Sequence, residues 1–545
     1  MDAILEAVEQ CDATGSSPSR TGPELVEHVP SGLKAQDIAA GLDKLSSVSD
    51  TVKSLRAIQA CLDSKQDVSR EETEDISSPL SEISDYVGRI ILPVVPMPKD
   101  DDNEEEDPAS AAQDQFLLKG ELGLNILDTL TTRHPFTLSP SALLSVVAYT
   151  NPQDPWTSDT SADIARNLLQ SQFPRDPPAG KKLSKGDFIT DTLLTQHLRP
   201  LFSKSRPSTV TASGRKAAFV EEQPSTVLED KSAKAWKYSH VYAVTVFEWA
   251  RQYRYCQGPG TCSPPVLLTL LDESETPLKG RALNIFGGFW SGCPPGLMDQ
   301  VGLASVFEDA VFPAVHFLPN ITPEAESRLI LNAAYPALFQ LAGLTKAAVD
   351  QDHDTATAAL TPAQRKLLDR IIREGILTGY FHAKDHIQLT SVFCDKLSYA
   401  VNGMGILSVK YLKDILPMIS EIMTNPFGTK HTQSLLATIQ LLQAILRCCW
   451  PRISGHQNEV IRILTVCWLA IADEDAWTSD SSTPTKEDLE AQLAKAAAML
   501  SSIIRNNTGG QDQPDMKLDD LVSPLVKKEP LLAPLFARHD ISPVN

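Results

Sequence analysis

The chain is short of glycine, with 27 in 545 residues, where average usage is about 7%. It is rich in proline instead, with 38. Few glycines and many prolines fit helices punctuated by turns and fit a turn-rich β-fold poorly. Positive charge is also scarce: 49 Lys and Arg stand against 69 Asp and Glu, for a net charge of −20. Nucleic acids draw most of their non-specific affinity from clustered cations. Only Lys204 to Lys216, with four basic and no acidic residues, offers any, so nucleic acid is excluded as a direct partner. Long apolar runs are missing too. The longest, Ile463–Ala472, lies between Arg462 and Asp473 and is too short to span a bilayer. The opening Met1-Asp2-Ala3-Ile4-Leu5-Glu6 has no basic stretch leading into an apolar one, so no secretory signal is read there. The nine cysteines, at 11, 61, 256, 262, 293, 394, 448, 449 and 467, are odd in number and irregular in spacing. They read as reduced, buried thiols. These absences lead to the expectation of a soluble protein of the cytoplasm and nucleus, with no membrane partner.

At this length a single hydrophobic core cannot serve the whole chain, so it is several domains or a stack of repeats. Residues 1–92 carry short amphipathic patterns such as Val52, Leu55, Ile58 and Leu62. Residues 93–115 read as an acidic linker around Lys99–Asp107, where seven acids face one lysine and self-repulsion prevents burial. Helical periodicity resumes over 116–202. Residues 203–235, rich in Ser, Thr, Lys and Pro, read as a flexible segment. Residues 236–545 then show one amphipathic helix after another. Leu412, Ile415, Leu416, Ile419, Ile422 and Met423 form one apolar stripe; Leu435, Ile439, Leu442 and Leu446 form the next, after a Pro426-Phe427-Gly428 break. Val460, Leu464, Cys467 and Ile471 follow. Helices of this spacing, joined by short turns, predict antiparallel pairs.

One segment is more specific. Pro265–Asp272 reads as a helix with proline at its start, and a short joint leads into a second helix. In that helix Leu278, Ala282, Ile285, Phe286 and Phe289 share a face. An apolar residue followed by Lys279, with a small residue four places on, resembles the second helix of a HEAT repeat. The fold class expected is therefore all-α, a HEAT-like α-solenoid of antiparallel helix pairs. Pro313, Pro336 and Pro417 interrupt helical runs, each either kinking a helix or separating two.

The motifs for chemistry fall short one by one. Gly180-Lys181-Lys182 lacks the Ser or Thr and the upstream glycine of a phosphate loop. Ser291, within Gly287–Gly292, lacks the flanking glycines and the preceding strand of a hydrolase elbow. His382 and His386, in His382-Ala383-Lys384-Asp385-His386, could place two nitrogens on one helix face for zinc. No third ligand has matching spacing, and a helix terminus is the preferred reading. Cys256 and Cys262, with Cys293 and His240, are too widely spaced for a zinc cluster. No catalytic, metal or cofactor site is assigned.

The segment Gly302–Pro313, followed by Phe317–Ser327, resembles the Tel-two-interacting protein two family. Ala334–Leu338, Trp236–Tyr238 and Val244–Ala250 fit its fungal-type members. The resemblance covers about Arg199 to Leu344 by motif and the rest of the C-terminal half by pattern. It implies a scaffold that binds the other two subunits of the Triple-T (TTT) complex. That complex is a co-chaperone adaptor, working with the heat-shock chaperone machinery on phosphatidylinositol-kinase-related kinases of DNA-damage and TOR signalling. Within the matching segment Phe307, Phe312 and Leu318 are expected in the core. Glu308, Asp309 and Glu324 are the candidate partner-binding residues, and Thr322-Pro323-Glu324 reads as a helix start capped by Thr322. The alternatives are another HEAT scaffold or transport adaptor, and a metal-dependent hydrolase built on His382 and His386.

Overall fold

Helix follows helix, and no strand occurs among the described residues. The computed structural model describes residues 35–46, 50–63, 77–95, 108–134, 136–174, 184–205, 231–253, 263–294, 296–344, 360–474, 484–507 and 518–537. The chain divides into two compact units, Met1–Thr269 and Leu270–Asn545.

The first unit contains α1 (Ala35–Ala40), α2 (Thr51–Asp63), α3 (Ser77–Ile91), α4 (Pro108–Arg133), α5 (Pro140–Val147), α6 (Asp159–Gln172), the π-helical α7 (Phe188–Leu198) and α8 (Ala243–Arg251). Local sequence starts these helices. Ser139, with Pro140 behind it, accepts a bond from the Ala142 amide, and Ser158 does the same for Ser161, satisfying orphan donors of the first turn. Helices then stack by alternation: α2 packs on α4 and α4 on α6, while α1 packs on α3, α3 on α5 and α5 on α8. The two rows meet where α3 packs on α4 and α5 on α6.

The second unit repeats the scheme. α9 (Ser263–Leu271) crosses the boundary between units and is followed by α10 (Thr276–Gly292), α11 (Ala304–Val311) and α12 (Glu324–Leu341). Next comes α13 (Pro362–Arg370), which continues through a π-helical stretch, Ile371–Leu377, into Thr378–Ala383. Then follow α14 (Ile387–Met404), α15 (Leu412–Met423), α16 (Thr432–Cys448), α17 (Gln457–Ala472), α18 (Lys486–Asn507) and α19 (Leu518–Lys528). Helix α10 packs on α12, α12 on α14, α14 on α16 and α16 on α18, forming one layer. The other layer is built from α11, α13, α15 and α17, each packed beside its partner in the first. Short turns between packed partners make the pairs antiparallel. This is the HEAT-like solenoid arrangement read from the apolar stripes.

Burial drives the stacking. In α16, Leu435, Ile439, Leu442 and Leu446 are all buried, each worth about 1.5–3 kcal/mol of transfer free energy. Leu441 and Ile445 are buried as well, because this central helix is covered on several sides. Pro336 and Pro417 lie inside continuous helices, while at Pro313 the α-helix gives way to a 3-10 turn, Phe312–His316.

Two registers differ from expectation by one residue. In α10 it is Lys279, not Leu278, that is buried, because its ammonium turns back to donate to the Leu271 carbonyl at the end of α9. Burial lowers the affinity of that amine for its proton, while Asp272 and Glu273 work in the opposite direction. The HEAT-type lysine is therefore a C-terminal cap for the preceding helix. At α12 the cap position is Pro323, with φ −53° and ψ 145°, and no side chain caps it. Thr322 instead offers its carbonyl to the Ser327 hydroxyl at 3.2 Å.

The unit boundary falls after Thr269, beyond the expected change at 236, because Trp236 and its neighbours pack backward. Trp236 stacks on Phe202 with ring centroids 4.9 Å apart, and Ser239 donates to the Val95 carbonyl at 2.8 Å. The acidic block at 99–107 and residues 206–230 of the Ser/Thr/Lys/Pro-rich stretch lie outside the described residues. So do Gly180-Lys181-Lys182, Cys256 and Cys262.

Candidate functional site

Two of the three residues singled out for partner contact, Glu308 and Glu324, sit at joints between repeats. Glu308, on α11, accepts from the Arg370 guanidinium of α13 at 3.1 Å. Arg370 also lies over the Phe312 ring, 3.6 Å from its centroid, and pairs with Glu374 at 3.1 Å. Charge and cation–π attraction thus fasten α13 to α11. Glu324, opening α12, faces His386 Nδ1 at 3.3 Å. Asp309 is exposed. Phe307 and Phe312 are buried, with Phe307 packed against Phe286, Phe289 and Trp290.

A second joint follows. Asp369 receives the Tyr411 hydroxyl at 2.6 Å, Lys410 Nζ at 2.9 Å and Arg373 Nε at 3.2 Å. Partial burial disfavours its charge, but these three donors prevail and hold the carboxyl at about 2. Asp369 thereby ties α13 to the turn before α15.

The histidine motif does not form a one-face pair. His382 lies in the last turn before Ala383, and His386 occupies the cap position of α14, so a turn separates them. No group of three His, Cys, Asp or Glu among the described residues is arranged to hold a metal ion. Ser291 lies in the last turn of α10 and returns its hydroxyl to the Gly287 carbonyl at 2.9 Å, which is helix-end geometry without nucleophile activation. Burial pushes the thiols of Cys394, Cys449 and Cys467 up to about 12, which keeps them protonated at neutral pH. In the first unit a cleft of about 790 Å³ lies between α1 and α3, lined partly by Asp43, Glu82, Asp85 and Arg89. Asp85 is engaged by the hydroxyls of Ser139 and Ser141, a further helix-to-helix joint. No helix among the described residues is long and apolar enough to cross a membrane.

The feature that the sequence did not single out is an edge. The turns from the α11 layer to the α12 layer, at 317–323, 384–386 and 424–431, follow one another along the second unit. Bonds chain them together: Glu324 to His386, Lys384 to Glu421 at 2.8 Å, and Lys430 to Glu474 at 2.9 Å. Ser434 adds a bond to the Ile387 carbonyl at 2.9 Å. The three most exposed large apolar side chains among the described residues lie at or just before these turns: Ile321 at 90%, Phe427 at 74%, and Phe381, in the helical turn that ends α13, at 70%. Ile387, at 36%, stands beside Phe381's turn. A sequence signal for them exists in hindsight. Ile321 and Phe427 sit between turn residues, in Asn320-Ile321-Thr322-Pro323 and Pro426-Phe427-Gly428, outside any helical stripe.

Helix pairs stacked in two layers, with no reacting constellation among the described residues, define a protein of the α-helical repeat class. The sequence model of the Tti2 family matches residues 142–430, more than half of the chain, and the chain belongs to the Tti2 family. The match contains the Gly302–Ser327 segment and the exposed residues Ile321, Phe381 and Phe427. No characterised protein sequence matches the chain significantly. Among solved structures, a crystal structure of importin beta aligns over 95% of this chain and 78% of that chain, at 10% identity and a TM-score of 0.32. That likeness is too loose to carry an argument.

Proposed function

We propose that this chain is a non-catalytic scaffold subunit of a Triple-T co-chaperone complex. It holds the other two subunits and, through them, serves the heat-shock chaperone machinery in maturing phosphatidylinositol-kinase-related kinases of DNA-damage and TOR signalling. The observation that carries the proposal is the Tti2 family match over residues 142–430. The physics agrees with it. Stacked helix pairs offer a long surface to other proteins without needing a catalytic pocket, and an excess of acidic charge steers basic partner surfaces. On this reading the protein works in the cytoplasm and nucleus. The test has two stages. The tagged chain should co-purify with the other two subunits. Its depletion should then shorten the lifetime of the newly made kinases in pulse-chase labelling. Recovery of the chain without either subunit, or unchanged kinase lifetimes after depletion, contradicts the proposal.

A further inference from the structure

We infer that the edge carrying Ile321, Phe381 and Phe427 receives an amphipathic, basic α-helix from a partner protein. The inference deepens the scaffold reading and rests on it for the biological partner. Three independent features of the edge converge. The first is exposure: large apolar side chains stand in water at or just before three successive turns, where a chain folding alone would place polar ones. Scattered single apolar residues are ordinary on a surface, but exposed large ones recurring at or beside the same edge of consecutive repeats make a patch of the kind that binds protein.

The second feature is spacing. Neighbouring helices in a packed layer lie about 8–10 Å apart, so equivalent turns recur at about that interval. A partner helix advances about 10.5 Å in seven residues, which brings its same face back in step with each turn. An extended strand advances about 10 Å in three residues, but an odd step turns the side chain to the opposite face. A helix with large apolar residues at heptad spacing therefore satisfies all three turns, and a strand does not.

The third feature is charge. Glu324, Glu326, Asp385, Glu421, Asp473 and Glu474 border the row, against Arg328, Lys384 and Lys430. Lys384 and Lys430 are already paired with Glu421 and Glu474. Glu326, Asp385 and Asp473 are exposed and form no ion pair among the described residues. The surplus is negative, so lysines and arginines flanking the apolar face of the incoming helix complete it.

The experiment uses the full chain and a synthetic helical peptide of about three heptads, with leucines at heptad spacing flanked by Lys and Arg. Binding is read by fluorescence anisotropy. The expected result is saturable binding that weakens about tenfold or more for the combined Ile321→Ser, Phe381→Ser and Phe427→Ser variant. It should also weaken with added salt and for a peptide with Glu in place of Lys and Arg. The substituted positions are exposed, and an unchanged circular dichroism spectrum and melting temperature confirm that the variant is folded. Failure of the peptide to bind the native chain overturns the inference, as does equal binding by the variant or by the acidic peptide. Because the probe is synthetic, the result is separable from the proposed function. Binding as expected by a chain that never joins the two Triple-T subunits sinks the scaffold assignment alone. Normal co-purification of those subunits, with no peptide binding that depends on the edge, sinks the edge inference alone.

Discussion

The two units are fastened in different ways. In the first, several helices are joined by buried, uncharged bonds, beside the Asp85 joint. Ser145 donates to the Gly88 carbonyl at 2.7 Å, Tyr149 to the Ile91 carbonyl at 2.6 Å, and Gln172 accepts from the Leu138 amide at 3.1 Å. In the second, the joints described above are ion pairs at the surface: Arg370 with Glu308, Lys410 with Asp369, Lys384 with Glu421 and Lys430 with Glu474. Buried neutral bonds fix a single geometry, because leaving either partner unsatisfied costs about 1–3 kcal/mol. Surface pairs are worth about 0–1 kcal/mol each and weaken with salt. These surface joints of the second unit therefore respond to salt and acid, whereas the buried neutral bonds of the first do not, and the buried apolar layers carry the stacking itself.

The strongest way to break this comparison is a lesion in one unit that spares the other. Leu416→Asp places a carboxylate in the buried stripe of α15 and should cost several kcal/mol, enough to unfold that repeat and its neighbours. Hydrogen exchange should then show lost protection across α14 to α17, with α3 to α6 still protected. If both units lose protection together, they form one cooperative body and the contrast between them is overstated. In the first unit, a methyl group at Gly120 would lie 2.3 Å from the Tyr149 ring. Gly120→Ala should therefore displace that fully buried ring and its bond to Ile91, despite the better helix propensity of alanine. A loss of about 1–3 kcal/mol in denaturant midpoint is expected; a gain would show that the helices separate freely there.

Acid sharpens the same contrast on a smaller scale. The Asp369 carboxyl is held at about 2, below the value of about 3.9 for an unfolded aspartate. Its contribution is therefore fully present above pH 4 and is lost as pH falls from 4 towards 2. Because the side chain is 37% exposed, solvent screening limits that contribution to about 1 kcal/mol. Asp369→Asn should lower stability by that amount at pH 7 and by little at pH 2, read from denaturant midpoints at both values. An equal loss at both pH values would assign the role of Asp369 to packing and not to charge.

Much of the fold was legible because an apolar stripe at helical spacing needs a neighbouring helix to cover it. The stripe from Leu435 to Leu446 proved to be a buried face, as did that from Leu412 to Met423 apart from the half-buried Ile422. The register of α10 was not legible, since a lysine scores as polar until its reach back to Leu271 is seen. The π-helical stretches at Phe188–Leu198 and Ile371–Leu377 were equally hidden, because a one-residue widening barely alters apolar spacing. Of the candidate surface, Glu308 and Glu324 were recognisable as polar. Nothing local showed that Arg370, far along the chain, would close on the first, or that His386 would face the second. The exposed edge escaped for a different reason: a single Ile or Phe outside an apolar stripe carries no local sign of whether it is covered until stacking shows which edge it faces.

The smallest effect expected is a gain. Tyr335, in α12, is fully buried, and its hydroxyl has no hydrogen-bond partner among the described residues. Its ring lies between those of Phe339 and Phe393, with centroids 6.3 and 6.5 Å away. The oxygen points toward the π-helical stretch of α13, 3.6 Å from where a Cβ on Gly375 would stand. Burial drives the phenol far above its usual ionisation range, so it remains a neutral donor in an apolar setting. Such a donor carries a desolvation cost with no compensating bond. Tyr335→Phe keeps the ring contacts and removes that cost, while the loss of one oxygen opens only a small void. The expected outcome is a rise of up to about 1 kcal/mol, seen as a melting temperature about 2–4 °C higher for a unit of this size. Amide protection should increase in α12 and α13 and stay unchanged in α3 to α6. A loss above about 1 kcal/mol would mean that the hydroxyl is satisfied in solution by one of the carbonyls that the π-helical stretch leaves free.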